Sequence, residues 1–329
     1  TSKARPTNRT RTHSSVAMPP QMDHASSWKK PIQELPKIQP LLGVLLGDPA
    51  FFQIEHAINA HMTSADGTLH RIDPSKAREE WLALKSAYES IGIRTAVLPA
   101  QPGLPDACFT ANPSMVLPLP DGTQEVWLGK MAHPSRAEEV SLHREFFESK
   151  HCRIQTMPES ILKFEGCGDG LLHPGRFLLH AGIGARSSHA AWKHLAQTHP
   201  ALTLCYYTLS NPDFYHLDTA LAPLNETTAL YAPEAFTADG IDLLQKAFPH
   251  AIALPYEESL RFAGNAHCPD QKHVLLQSSC PQTERLLHKH GFQPIPLETS
   301  QFRLSGGSVF CLKQSCWTSA CSAPTEAIR

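Results

Sequence analysis

The chain predicts a mixed α/β protein, and three observations carry that reading. Short apolar runs of strand length recur from Leu41 onward, amphipathic helical patterns lie between them, and Gly and Pro punctuate the junctions. In chain order the predicted strands are Leu41–Leu46, Arg94–Leu98, Ser114–Leu119, Phe177–His180, Leu202–Tyr206, Thr227–Tyr231, Ile252–Pro255, Val274–Gln277 and Val309–Lys313. Ala77, Trp81, Leu84 and Tyr88 share one helical face, with Gly92 placed to cap its end. Further helices are predicted over Pro134–Ser149, Ser187–Thr198, Ala238–Phe248 and Gln282–His290, the last stopping at Gly291. The alternation suits a doubly wound sheet or a ring of similar ββαβ units, and no repeat is legible by residue identity.

With 329 residues and 41% hydrophobic content the chain can bury a full core. The 28 prolines fall mostly between elements and leave no long linker, so one domain is predicted over 37–315, with a tail over 316–329. Residues 1–36 read as a disordered leader, a targeting segment or a tag. Lys3, Arg5, Arg9 and Arg11 stand there among Ser and Thr, and no acid occurs before Asp23. A net charge of -2 gives no whole-chain field to recruit nucleic acid or an anionic membrane, and no apolar stretch reaches the ~20 residues that span a bilayer. Nine scattered cysteines do not make the framework of a small secreted domain, so a reducing cytoplasm is expected, with organelle targeting by residues 1–36 left open. The expected partner is a small molecule, with self-association undecided.

Four segments place reactive residues among glycines or at strand ends, where a core has no use for them. They are Pro105-Asp106-Ala107-Cys108-Phe109-Thr110-Ala111-Asn112, Phe164-Glu165-Gly166-Cys167-Gly168-Asp169, Tyr215-His216-Leu217-Asp218-Thr219 and Ser305-Gly306-Gly307-Ser308-Val309-Phe310-Cys311-Leu312. Singly each is a weak signal; in this order they are specific.

In this order the segments resemble the guanidine-modifying superfamily of arginine deiminases, dimethylarginine dimethylaminohydrolases, amidinotransferases and arginine dihydrolases. The resemblance runs from about Leu45 to Leu312. It is nearest to the arginine dihydrolase type through Phe109-Thr110-Ala111-Asn112, through Phe214 to Thr219, and through Ile58-Asn59 before Met62. It implies a five-bladed α/β propeller, the pentein fold, with the active site in a central channel, and needs neither metal nor cofactor.

A guanidinium stays protonated at physiological pH, so it is a poor electrophile that must be held by carboxylates and attacked by a strong nucleophile. A thiolate suits that task, and a bound cation helps to form it. The resemblance implies Cys311 as nucleophile, His216 as general acid and base, and Glu165 as the group that orients and neutralises the imidazole. It assigns Asp106 and Asp218 to the cationic end of the substrate and Arg136 and Arg186 to the α-carboxylate. Asn59 is a further binding candidate, although Ala60-His61 departs from the Pro-Trp that usually follows. Asn112 matters for outcome. An aspartate there would favour the cation and release a neutral ureido product, whereas an amide can retain citrulline for a second attack.

Blander readings stand beside each of these. Cys311 could be an inert buried thiol, His216 a strand-end histidine, Arg136 a helix-start charge and Asn112 a cap before Pro113. A zinc site at His267, Cys268 and His273 lacks the usual ligand spacing, and the Gly182-Ile183-Gly184 run lacks the third glycine of a dinucleotide fingerprint. A non-catalytic binder of the same fold, a deiminase, a dimethylargininase and an amidinotransferase remain as alternatives to the dihydrolase.

Overall fold

A computed structural model describes residues 21–28 and 30–321. One connectivity recurs along it: an antiparallel strand pair, a helix, and a third strand parallel to the second. In the second sheet Ser114–Pro118 runs antiparallel to Gln124–Leu128; the helix Glu139–Ser149 then leads to Arg153–Thr156, parallel to the middle strand. The third sheet repeats this with Gly170–Leu172, Leu178–Ile183, the helix His189–Thr198 and Thr203–Thr208. The fourth does so with Leu221–Pro223, Ala229–Tyr231, the helix Ala238–Ala247 and Ile252–Ala253. In the fifth, an isolated bridge from His267 to Leu275 stands for the first strand, before His273–Gln277, the helix Pro281–Lys289 and Gln293–Leu297.

The first sheet is completed from the far end of the chain. Lys313–Cys316 pairs antiparallel with Gly43–Gly47, which the helix Pro74–Ser90 connects to the parallel strand Arg94–Leu98. The molecule is therefore a mixed α/β protein of five small sheets whose first unit is closed by its last strand. The parallel pairs take a helical crossover because adjacent parallel strands cannot be joined by a tight turn.

The helices form where the sequence pattern places them. Pro74–Ser90 starts at Asp73, whose carboxylate accepts from the backbone N–H groups of Ser75 and Lys76, and Gly92 takes the left-handed conformation just past its end. Its inward face, with Trp81, Leu84 and Tyr88, packs with Val44 and Leu46 of the first sheet. Each such fully buried side chain contributes ~1.5–3 kcal/mol. In the third unit Trp192 meets Phe164 edge to face at 5.1 Å and donates to Gly182 O at 2.8 Å.

Several expectations shift. The segment 1–36 is described only in part: Gln21–Met22 adds a parallel edge strand to the third sheet, and Met22 and Leu35 are buried in its core. Folded chain thus begins ahead of position 37, while residues 1–20 lie outside the described residues. The tail 316–329 likewise contributes Cys316 to a strand, and residues 322–329 lie outside. The strand predicted over Val309–Lys313 starts only at Lys313, so Cys311 sits in a turn. Among the described residues no helix is long and apolar enough to cross a membrane.

Candidate active site

The four reactive segments fall at the junctions between successive units and converge on one small cavity. Asp106, Asn112, Arg136, Arg186, Tyr215 and Cys311 are among its lining residues, with Asn59 on the same wall. Its volume of about 20 Å³ is room for little more than one water molecule. A wider recess of about 260 Å³ adjoins it and shares Ile58, Met62 and Asp106.

Local backbone needs explain the glycines. Gly166 takes φ of 50°, and a Cβ there would lie 2.1 Å from Ser114 O, so Glu165 is presented on a turn that other residues cannot make. Gly306, at φ of 87°, packs against the Asn59 amide, which donates to Ser305 O at 3.0 Å. That bond fixes the 58–62 segment against the turn that leads to Cys311.

Glu165 is wholly buried and accepts from His216 Nε2 at 2.7 Å, from the backbone N–H of Ala132 at 2.9 Å and from Arg186 at 3.2 Å. Burial alone would raise its pKa; the His216 hydrogen bond and the charges of His216, Arg186 and Arg136 outweigh burial and bring it down to about 2. The carboxylate is thus a fixed negative charge behind the imidazole. His216 Nδ1 faces away from Glu165, is buried and has no protein partner. Asp169 acts as expected of a turn-shaping residue, accepting from the Leu217 N–H at 3.0 Å and holding the His216 loop.

Cys311 is buried and donates from Sγ to Asp218 Oδ2 at 3.2 Å. Burial, then the adjacent Asp218 charge, pushes the thiol well up, and burial raises Asp218 to about 6. Without a ligand the pair therefore shares a proton, and a cation placed beside Asp218 is the natural means of releasing it. Asp218 Oδ1 and Asp106 Oδ1 are both buried without a partner.

Arg136 is buried and clamped: Nε and Nη2 bind Glu139, Nη2 also binds Phe109 O, and Nη1 donates to Asn112 Oδ1 at 3.0 Å. Arg186 divides its donors between Glu165 and Ile58 O and lies over the Tyr215 ring, 5.0 Å from its centroid. Because Arg136 takes the Asn112 oxygen, the Asn112 Nδ2 group is left buried and unpartnered beside Gly168 and His216. Of the two functions an amide offers, this site keeps the acceptor for itself and turns the donor inward.

All nine sequence-identified residues are thus brought to one place. The discarded alternatives go elsewhere. His267 Nδ1 pairs with Tyr88 at 2.8 Å and His273 with Asp270 at 2.6 Å, while Gly182 lies in a strand where a Cβ would stand 2.9 Å from Leu217 Cβ. Sequence reasoning missed Asn265, whose amide touches the Cys311 sulfur, and Lys313, an ammonium buried two residues beyond and lowered by burial to about 8. One signal was present: Phe262-Ala263-Gly264-Asn265 echoes Phe109-Thr110-Ala111-Asn112 at the next junction but one after the His216 segment's predecessor.

A five-unit α/β chain with a buried Cys, His and Glu around unpaired carboxylates defines a member of the guanidine-modifying hydrolases, of arginine dihydrolase-like type. Residues 48–316 match the family described as N,N dimethylarginine dimethylhydrolase, eukaryotic, and the chain belongs to that family. It is 30% identical over 270 residues to the bifunctional arginine dihydrolase/ornithine cyclodeaminase AgrE of Nostoc sp., covering 82% of this chain and 37% of that one. It is 31% identical over 263 residues to the N(G),N(G)-dimethylarginine dimethylaminohydrolase of Mycobacterium tuberculosis, covering 80% of this chain and 82% of that one. Among solved structures it resembles the N-terminal domain of ArgZ, an arginine dihydrolase from cyanobacteria, bound to substrate. The TM-score is 0.76 at 26% identity, covering 83% of this chain and 97% of that one.

Proposed function

We propose that the protein is an arginine dihydrolase that uses Cys311 twice on one carbon, with its five units set as blades around the site. The observation that carries this reading is the set of buried atoms without protein partners. Asp106 Oδ1, Asp218 Oδ1, Asn112 Nδ2 and His216 Nδ1 present two acceptors for a cation, one donor for a neutral oxygen and one nitrogen for proton transfer.

In the first round the thiol proton passes to His216 Nδ1 and the sulfur bonds to the guanidinium carbon held by Asp106 and Asp218. His216 returns the proton to the departing nitrogen, the C–N bond breaks and ammonia leaves. Water then gives one proton to His216 as its oxygen bonds to the carbon; the C–S bond breaks with its electron pair returning to sulfur, and the hydroxyl proton is released to solvent to yield citrulline. In the second round Asn112 Nδ2 donates to the ureido oxygen while the sulfur bonds to the same carbon and the second ammonia leaves. Water then displaces the sulfur to give a carbamate, whose remaining C–N bond breaks to release carbon dioxide and ornithine. The sum is arginine plus two waters giving ornithine, carbon dioxide and two ammonia. Arg136 and Arg186 supply positive charge for the α-carboxylate, and Glu165 neutralises the imidazolium.

The family match and the mycobacterial relative favour a second reading, hydrolysis of dimethylarginine to citrulline. Incubation with arginine and with dimethylarginine, products resolved by mass spectrometry, separates the two. Ornithine from arginine is expected; citrulline as the end product from dimethylarginine alone would replace the dihydrolase with a dimethylargininase.

A further inference from the structure

The residue in closest company with the nucleophile, apart from Asp218, is Asn265. Its Oδ1 accepts from three backbone N–H groups, those of Ser308 and Phe310 at 3.1 Å and of Cys311 at 3.2 Å. This triple acceptance settles which end of the amide is oxygen, so Nδ2 is the end that faces the sulfur. Its two hydrogens go to Asp218 O at 2.9 Å and to Cys311 Sγ at 3.2 Å. Asn265 is wholly buried, and the preceding Gly264 packs so closely that a Cβ would lie 2.6 Å from Thr219 O. The amide is therefore fixed from both sides, with one donor aimed at the reacting atom.

We propose that Asn265 is a further catalytic residue: its N–H carries the negative charge on the Cys311 sulfur when that sulfur attacks and when it leaves, and its carbonyl oxygen holds the turn that presents the sulfur. The proposal rests on Cys311 as nucleophile. Asp218 cannot do this work, because as a carboxylate it repels a thiolate and, once a guanidinium is bound, its charge is turned to the substrate. The Asn265 donor is neutral and permanent. It is strongest toward a thiolate and weak toward the thioether-like sulfur of the covalent intermediate. When the C–S bond breaks after water has added, the electron pair returns to sulfur and the Asn265 hydrogen bond strengthens with it. Nucleophile formation and C–S cleavage thus draw on the same bond, and in a dihydrolase each occurs twice per substrate.

The test is the pH dependence of iodoacetamide alkylation at Cys311 in the substrate-free protein, followed on the Cys311 peptide by mass spectrometry, for native, Asn265→Asp and Asn265→Ala chains. Asn265→Asp keeps an oxygen for the three N–H groups and removes the N–H donor; Asn265→Ala removes both. The inflection is expected to rise by about one unit or more in both variants, a tenfold or greater loss of thiolate at a given pH, with circular dichroism unchanged in Asn265→Asp. An unchanged inflection in a folded variant overturns the proposal. Collapse of both variants also overturns it, since the amide is then structural. Because no substrate is present, the result stands apart from whether arginine is the substrate; turnover kept at the native rate in Cys311→Ala would instead strike the nucleophile assignment itself.

Discussion

Two buried polar clusters within the same fold differ in one respect, and the difference separates a site from a support. In the third sheet His173 and His180 lie against Phe248, with every ring nitrogen paired: His173 Nε2 to Glu226 O at 3.0 Å, His173 Nδ1 to His180 Nε2 at 3.1 Å, and His180 Nδ1 to the Tyr207 hydroxyl at 3.0 Å. At the Cys311 cavity His216, Asp218 and Asn112 are as fully buried and Asp106 is partly so, yet each keeps a buried polar atom without a partner. Burying a polar atom without a partner costs ~1–3 kcal/mol. Unpartnered buried atoms occur singly elsewhere, at Trp81, Trp127 and His143 among others; the four at Cys311 differ in that they gather around one thiol, as a ligand site requires.

The largest effect that would sharpen this contrast is expected at Cys311. Cys311→Ala should abolish turnover by more than the ~10²–10⁴-fold typical of acid–base residues, with circular dichroism unchanged. Near-normal turnover in that variant, with loss in Cys167→Ala, would move the site. Activity should also survive exhaustive chelation and be lost on thiol alkylation, with protection by arginine. His216→Ala comes next, with a loss of about 10²–10⁴-fold in kcat and a lowered melting temperature, because the buried Glu165 carboxylate loses its 2.7 Å partner. A variant that melted far below native and kept kcat would place His216 with the supports.

Asn112→Asp is expected to act on outcome more than on rate. The new carboxylate would pair with Arg136, now bound to the Asn112 oxygen, and the inward donor to the ureido group would vanish. The product should shift from ornithine to citrulline, with turnover lowered; an unchanged ratio in timed product analysis would remove the role given to Asn112.

The smallest effect belongs to the paired histidines. Burial holds His173 down at about 4, below its usual 6.5, so its neutral form stabilises the native state fully above pH 6.5. That contribution is lost as pH falls toward 4. Glu165, at about 2, contributes fully above pH 4.5 and loses that contribution as pH falls from there toward 2. Acid destabilisation should therefore begin at the buried neutral histidines, His173 and His180 together with His143 and His267. His173→Phe should lower stability at neutral pH by ~1–3 kcal/mol and flatten the fall in melting temperature between pH 6.5 and 4, with kcat per folded molecule unchanged. An equally steep fall would assign the acid transition elsewhere.

Much of this was legible in the sequence because it was local. Arg94–Leu98 is read to the residue, and Gly92 and Gly291 mark helix ends by their own chemistry. The misreadings arose where distant groups decide. The run Val309–Lys313 looks like a strand, but the Ser308, Phe310 and Cys311 N–H groups are drawn to Asn265, 43 to 46 positions away, and the strand is displaced to Lys313. Gln124–Leu128 was passed over because Gln124 and Glu125 are polar, and Gln293–Leu297 because it carries Pro294 and Pro296, which an edge strand tolerates. The site residues were visible as types; that Arg136 would take the oxygen of Asn112 and leave only its donor depends on the fold.

The central claim is that the guanidino carbon becomes bonded to Cys311, and trapping that bond tests it most directly. Arginine mixed with native protein, quenched in acid during turnover and digested, should leave a mass increment on the Cys311 peptide that grows with substrate and is absent from Cys311→Ala. Ornithine or citrulline formed with no adduct on Cys311 in the native protein, or with an adduct on another cysteine, would contradict it.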